Sequence, residues 1–372
     1  MGHIQKRGER KYQARWLDPD GRERAQTFTR KADAERRIAV AEGAKLTGSY
    51  IDQTSKVTVA EYAKQWAATR PHRQSTADRI GYLIGKHVEG TPLGTRRLSA
   101  VRPSEVQAWV SDRAKVLSPG TVRLLVSVLR SIFSAAVHDR LIASSPAVRL
   151  SLPRSERKRV VPLTVAQVQA LADTMPTRCR AMVITQAGLG LRIGELMALR
   201  VQDVDFLRRT VAIEFQTTPD GKQRVPPKTP RSHRTVPLPS IVAEALAAHI
   251  AAFSPAEDGS LFLTLHGLPW RHEYYGSRIF TPAVKRAKLP TGTTSHDLRH
   301  HYASVLLAAG ESVVAVAERL GHENATLVLT TYGHLLPDSE DRTRRAIDAA
   351  WTSDGRGTDG GDHPQESGLV SG

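Results

Sequence analysis

Gly188-Leu189-Gly190-Leu191-Arg192-Ile193-Gly194-Glu195-Leu196 is the stretch on which the fold class turns. Its glycines look like the phosphate loop of a dinucleotide-binding domain. Their spacing departs from G-x-G-x-x-G, and the residues before them carry a helical pattern where that fold requires a strand. The stretch therefore gives no dinucleotide-binding α/β domain. It does offer Arg192 with Glu195 one turn later on the same helical face, a carboxylate placed to orient a guanidinium.

Three further segments carry chemistry-bearing side chains. They are Lys228-Thr-Pro-Arg-Ser-His-Arg-Thr-Val-Pro-Leu-Pro239, His296-Asp-Leu-Arg299-His-His-Tyr302, and Leu320-Gly-His322 followed by Tyr332-Gly-His-Leu335. Each has a bland counterpart. His322-Glu323 looks like a zinc-protease helix, but Thr326 stands where the second ligand belongs. His296, His300 and His301 suggest a metal cluster, but no carboxylate or cysteine stands at ligand spacing from them. Taken singly, each arginine fits a surface salt bridge, and a lone tyrosine fits a core.

The ordered set is far more specific than its parts. Arg192, Lys228, His296-x-x-Arg299, Gly321-His322 and Tyr332 together resemble the tyrosine recombinase (phage integrase) family over about residues 160–350, with every expected active-site position filled. The chain resembles actinobacterial phage-type integrases with an amino-terminal arm-binding domain. One departure is Val201-Gln-Asp203, where many relatives place an aromatic that packs, with no catalytic consequence expected.

The resemblance implies a site-specific DNA recombinase that cleaves and rejoins strands through a 3′-phosphotyrosine at Tyr332, with chemistry like that of type IB topoisomerases. A phosphodiester repels nucleophiles because its non-bridging oxygens are negative. Arg192 and Arg299 can each donate paired N–H groups to those oxygens in the transition state, and His322 can add another. The resemblance places His296 to assist proton removal from the tyrosine and Lys228 to protonate the departing 5′ oxygen. Energy kept in the phosphotyrosine ester removes the need for nucleotide, metal or any other cofactor.

Implied partners are double-stranded DNA attachment sites and further copies of the chain, as a homotetramer on DNA passing through a Holliday junction. A host DNA-bending factor and an excisionase are compatible additions. A helix from Ser339 to Trp351 carries Ala346, Ile347, Ala350 and Trp351; the resemblance implies that it packs on a neighbouring protomer, and an internal amphipathic helix is the plain alternative.

Composition agrees with a polyanionic partner. The 372 residues hold 53 Lys plus Arg against 37 Asp plus Glu, and 53 − 37 gives +16; such an excess favours nucleic acid over a merely solvated surface. Neither a lipidation signal nor an amphipathic anchor points to a membrane. Cys179 is the single cysteine, so intrachain disulfides are excluded and a buried inert thiol is expected. With no apolar signal core and no stretch approaching the ~18 apolar residues of a membrane span, a cytoplasmic, nucleoid-associated protein is expected, in which the sequon Asn324-Ala-Thr326 has no role.

The expected architecture is multidomain: a small ββα amino-terminal unit, an all-α core-binding domain, and a mixed α+β catalytic domain. Tyr12, Ala14 and Trp16 alternate with polar neighbours, Asp18-Pro-Asp-Gly21 supplies turn chemistry, and Arg22–Phe28 returns as a second strand. Thr29 is a candidate N-cap for a helix reaching Lys45 and stopped by Gly48. Residues 1–50 are expected to be an arm-type DNA-binding domain, with Lys6, Arg7, Arg10, Lys11, Arg15, Arg22 and Arg24 on its face.

Residues 55–150 predict helices, starting at the capping box Thr58–Glu61 and including one after Ser118-Pro119 with an apolar stripe from Val122 to Val137. Arg154–Arg159 reads as a linker. A second capping box, Thr164–Gln167, opens the catalytic domain over 160–351, and 352–372 predicts a disordered tail. A housekeeping recombinase resolving chromosome dimers would share the catalytic set without the first unit. A type IB topoisomerase would share the chemistry in another layout. A non-catalytic DNA-binding protein would have lost Tyr332 or an arginine.

Overall fold

The computed structural model describes residues 2–19, 21–46, 50, 55–154, 159–227, 229–335 and 340–354. The chain divides into two compact units, Met1–Arg157 and Lys158–Gly372.

The first unit opens with three antiparallel strands, β1 (His3–Gly8), β2 (Lys11–Leu17) and β3 (Glu23–Phe28), in the order β1-β2-β3, backed by α1 (Lys31–Leu46). The alternation in β2 buries Ala14 and Trp16 against Ala34 and Ala41 of α1, and Trp16 Nε1 donates to Tyr50 Oη at 2.8 Å. Gly21, at φ 79°, closes the β2–β3 turn by donating to the Asp18 carbonyl. The unit is thus βββα, one strand more than the sequence pattern predicts. β1 is masked in sequence because Ile4 is its one partly buried apolar residue. α1 begins at Lys31, which puts Arg30 rather than Thr29 at the capping position, and Gly48 lies outside the described residues.

The cations of this unit do not share a face. Directly paired residues in adjacent antiparallel strands point the same way. Trp16 pairs with Arg24 and Tyr12 with Lys6, so Lys6 and Arg24 lie on the α1 side. Arg15 pairs with His3 and Ala25 on the opposite face, near Gln5, Gln13 and Thr27. Arg10 and Lys11 sit at the β1–β2 turn, and Arg22 at the β2–β3 turn.

The same unit contains a second, separate core built from α2 (Val59–Thr69), α3 (Gln74–His87), α4 (Pro103–Val116) and α5 (Pro119–His138). The Thr58–Glu61 capping box forms, and the Ser118 side chain accepts from the Thr121 N–H as the N-cap of α5. Val122, Leu125, Val126, Leu129, Phe133 and Ala136 are buried, with Val137 partly so. Among the described residues α5 is the one helix long and apolar enough to cross a membrane, which the sequence reading did not anticipate. Its apolar stripe is the centre of this core.

The second unit starts at the Thr164–Gln167 capping box with α6 (Val165–Thr174), α7 (Thr177–Leu189) and the short α8 (Ile193–Met197). Strands β4 (Val204–Asp205), β5 (Thr210–Ile213) and β8 (Arg234–Pro237) form one sheet in the order β4-β5-β8. β6 (Gln216–Thr217) and β7 (Arg224–Val225) form a hairpin. Helices α9 (Ser240–Ala252), α10 (His272–Tyr274), α11 (Thr281–Arg286), α12 (Ser295–Ala308), α13 (Val313–Leu320), α14 (Thr326–Tyr332) and α15 (Glu340–Asp354) follow. One aliphatic core joins α6, α7, α9 and α12 to the β4-β5-β8 sheet. Cys179 is buried in it, its thiol pushed up to about 12 by burial.

Val201 packs against this core, the packing role expected at that position. α15 runs to Asp354, so Thr352–Asp354 are helical where the tail was expected to begin, and the rest of the tail lies outside the described residues. Ile347 and Trp351 of α15 are exposed.

Candidate active site

Two turns of backbone build the site. α7 ends at Gly190 in the left-handed conformation, φ 64°, where a Cβ would stand 2.4 Å from the Tyr302 ring. That reversal buries Leu191 and delivers Arg192 to the start of α8. α13 ends in the same way at Gly321, φ 65°, after which the His322 N–H donates back to the Ala317 carbonyl. Both positions need glycine because other residues are strained at positive φ.

The arginines are fixed through these turns. Arg192 donates from Nη1 to Glu195 Oε1 at 2.8 Å and from Nη2 to the Gly321 carbonyl at 3.1 Å. Arg299, 1% exposed, donates from Nη1 to the Gly190 carbonyl at 2.7 Å and from Nη2 to the Leu320 carbonyl at 2.6 Å. Burial, with the neighbouring charge of Arg192, lowers Arg299 to about 9, so it remains a cation at neutral pH.

Glu195 is the buried anion among these cations. Its orienting contact to Arg192 is the one the sequence suggests, but a second arginine holds it more fully. Arg234 donates from Nη2 to Oε2 at 2.8 Å and from Nη1 to Oε1 at 3.2 Å, while its Nε donates to the Arg319 carbonyl at 2.7 Å. Burial alone would raise Glu195; the hydrogen bonds and charges of Arg234 and Arg192 outweigh it and hold the carboxyl at about 2. Arg234 had no role in the sequence reading. Its signal was the period-2 run Arg234, Val236, Leu238, which puts the arginine on the inward side of β8.

α12 carries the histidines. Thr294 and Asp297 cap its start, and His296, Arg299 and His300 follow at i, i+3 and i+4 on one face. His300 Nδ1 lies 2.6 Å from the Tyr332 hydroxyl, and the His296 ring stands edge-on to His300 at 4.7 Å. Tyr332, the last residue of α14, is 2% exposed, and burial pushes its phenol up to about 12 against the lowering effect of Arg299. The histidine bonded to the tyrosine is thus His300, not the His296 favoured from the motif. The same-face i+4 spacing was the available signal. Burial, with His300 and Arg299 nearby, lowers His296 to about 4.

His301 is structural: its Nδ1 meets the Leu163 carbonyl at 2.7 Å. His322 is held at about 4 by burial and by Arg299 and Arg192, and its buried Nδ1 has no hydrogen-bond partner among the described residues. It lines a cavity of about 560 Å³ with Arg192, Glu195, Pro227, Thr229 and Gly321. Lys228 lies outside the described residues, between Pro227 and Thr229 of that lining. A 3-10 turn, Pro230–Ser232, leads from there into β8.

The arrangement gathers fixed cations, an imidazole nitrogen with no partner among the described residues, and a phenol on one unit. Such a set suits phosphoryl transfer to a tyrosine, because its donors surround a developing anionic oxygen without rearranging.

The chain is also similar to proteins already known. The chain is 28% identical over 347 residues to a Mycobacterium tuberculosis protein named for the prophage phiRv2 integrase, covering 88% of this chain and 90% of that one. It is 28% identical over 282 residues to the integrase of Mycobacterium phage FRAT1, covering 74% and 83%. A solved structure of the Tn1549 transposon integrase with a circular intermediate DNA superposes with a TM-score of 0.69 at 26% identity, covering 79% of this chain and 99% of that one. A lambda integrase dimer bound to a core site shares the fold, with a TM-score of 0.59 at 18% identity over 88% of this chain and 93% of that one. The phage integrase family itself matches residues 162–338, the span that holds Arg192, Glu195, Arg234, Arg299, His322 and Tyr332. Over that span the chain matches the phage integrase family, in line with the resemblance to tyrosine recombinases read from the sequence.

Proposed function

We propose that the chain is a site-specific DNA integrase in which Tyr332 attacks a phosphodiester and holds it as a 3′-phosphotyrosine, moving a phage or other mobile element into and out of a chromosome. The observation that carries this reading is that Tyr332 bonds to His300 of α12 within the field of the Arg299 charge, while Arg192 and His322 line one cavity of the same unit. Arg192 and Arg299 bind the non-bridging oxygens, and His322 donates to one of them. Lys228 protonates the departing 5′ oxygen, and Glu195 orients Arg192. No nucleotide or metal is required, because the ester conserves the energy of the broken bond.

The mobile-element reading is favoured over a housekeeping recombinase by where the likeness extends. The Staphylococcus saprophyticus tyrosine recombinase XerD matches 54% of this chain at 29% identity, whereas the phiRv2 relative matches 88%. Residues 1–50 serve in this reading as an arm-type DNA-binding domain, 55–150 as the core-site-binding domain and 160–351 as the catalytic domain. The outer face of the first sheet offers Gln5, Gln13, Arg15 and Thr27, and Arg7, Arg10, Lys11 and Arg22 are exposed around it. Assembly is as a homotetramer on two duplexes, with α15 of each copy seated on a neighbour through Ile347 and Trp351.

The test is recombination in EDTA between a supercoiled plasmid and a linear duplex, each carrying the direct repeat that flanks the encoding element. Joint products should form with the native protein and vanish with Tyr332→Phe. A cleavage step that demands magnesium or a nucleotide would refute the mechanism.

A further inference from the structure

We propose that His300 is a catalytic residue of this site: its Nδ1 holds the Tyr332 hydroxyl and takes the phenolic proton as Tyr332 attacks the phosphate. The inference rests on Tyr332 being the nucleophile. It concerns which group receives the proton, a task that the motif-based reading gives to His296.

The geometry supports it directly. His300 and Tyr332 come from different helices, α12 and α14, yet Nδ1 and the hydroxyl oxygen stand 2.6 Å apart. That distance is within the reach required of a general base. His296, by contrast, meets the edge of the His300 ring. The side chains facing His300 are Asp297, Arg299 and His296 on its own helix and Tyr332 from α14. Burial lowers the His300 pKa, so the ring is neutral near pH 7, and the tautomer with its proton on Nε2 leaves Nδ1 to accept from the phenol. The phenol needs such an acceptor. With Tyr332 near 12, only about one molecule in 10⁵ carries a phenolate at pH 7.

The step balances without any further reagent. The Tyr332 Oη–P bond forms as the P–O5′ bond breaks. The Oη proton passes to His300 Nδ1, making an imidazolium, and the leaving 5′ oxygen takes a proton from the general acid assigned to Lys228. On religation the 5′ hydroxyl attacks phosphorus and gives its proton back to Lys228, the Oη–P bond breaks, and His300 returns its proton to Oη.

The test uses the full chain and a nicked suicide duplex carrying the flanking repeat, with denaturant-stable adduct formed per unit time as the readout. His300→Ala and His300→Gln should each slow adduct formation by about 10²–10⁴-fold, the span of general-base assistance, with DNA binding retained. The glutamine variant keeps an acceptor and the shape, so it carries the test if the alanine variant does not fold. In the native protein the rate should fall as pH drops through the His300 pKa, below its ordinary 6.5, because the imidazolium cannot accept; the glutamine variant should lose that limb.

Replacing Tyr332 by a fluorinated tyrosine of lower phenolic pKa should recover His300→Gln by about tenfold or more, since less of the barrier is then proton removal. A 5′-bridging sulfur in the DNA should not recover it. Two results would overturn the inference while leaving the nucleophile in place. One is variants that form the Tyr332 adduct within about threefold of the native rate; the other is slowed variants that the fluorinated phenol fails to rescue. If the native protein forms no adduct, or Tyr332→Phe forms one, the nucleophile reading falls and this inference with it.

Discussion

The catalytic unit and the amino-terminal sheet are both rich in arginine, but they hold it in opposite ways. Around Glu195, Arg192 and Arg234 are tied to the buried carboxylate and to the Gly321 and Arg319 carbonyls, and Arg299 to the Gly190 and Leu320 carbonyls. In the sheet, Arg7, Arg10, Lys11 and Arg22 stand exposed at strand ends and turns. Arg15 and Arg24 there pair with Glu23 at 3.2 Å and Asp18 at 2.9 Å. Cations fixed in advance stabilise a transition state, because no reorganisation remains at the moment of reaction. Cations on long solvated stems add affinity and register, and their contribution is screened by salt. In the proposed function one residue type therefore serves chemistry in one unit and docking in the other, and its second partners decide which.

The largest expected effect is in the catalytic unit. Arg192→Ala and Arg299→Ala should each slow adduct formation by about 10²–10³-fold or more, as for loss of an oxyanion-type donor, with DNA affinity falling much less. Equal losses in affinity and rate would erase the distinction between the units. Lys228→Ala should also be slow, but a 5′-bridging sulfur substrate should restore it, because a thiolate leaves unprotonated. Failure of that rescue would move the acid elsewhere.

Next comes the Glu195–Arg234 pair, which the comparison treats as a positioning device. Arg234→Ala leaves a buried carboxylate half-unpaired and should cost about 3–5 kcal/mol of stability in chemical denaturation. Glu195→Gln should lower the cleavage rate by loosening Arg192 while leaving the nucleophile untouched. The pH dependence has a definite sign. The folded pKa of Glu195, about 2, lies below its ordinary 4.5, so its stabilisation is complete above pH 4.5 and is lost as pH falls from there towards 2. Melting temperature should therefore drop over that window in the native protein and less steeply in Glu195→Gln. A variant with an unchanged acid limb would show that the pair is not what the low pH breaks.

The smallest effects belong to the sheet. Arg10→Ala or Lys11→Ala should each reduce the salt slope of DNA binding by about one unit if that side chain contacts a phosphate. Neither should alter adduct formation on an isolated crossover site. Arg15→Ala should weaken binding to a distal class of sites while sparing the crossover site. Unchanged affinities and salt slopes in all of these variants would remove the docking role from the first sheet.

Much of this was legible in the sequence, and what was missed has physical causes. Capping boxes at Thr58 and Thr164 and the Ser118 cap mark helix starts with purely local chemistry, so they read correctly. Gly190 and Gly321 belong to motifs whose backbone role, left-handed helix ends, emerges only when the contacts of their carbonyls are seen. Strand β1 escaped because a polar edge strand beside one partly buried residue has no hydrophobic period. The cations of the first unit were assigned to one face because strand pairing, which sorts them, is a long-range fact. Arg234 and His300 were missed for a similar reason: their partners Glu195 and Tyr332 lie 39 and 32 residues away.

The central claim is that Tyr332 is the covalent attachment point on a unit whose cations are already in place. Its most direct measurement is proteolysis and mass spectrometry of the adduct trapped on a nicked suicide duplex in EDTA. The account predicts a 3′-phosphonucleotide on the peptide containing Tyr332, no adduct with Tyr332→Phe, and a drastic loss with Arg299→Ala. An adduct on any other residue, or one that survives Tyr332→Phe, would contradict it.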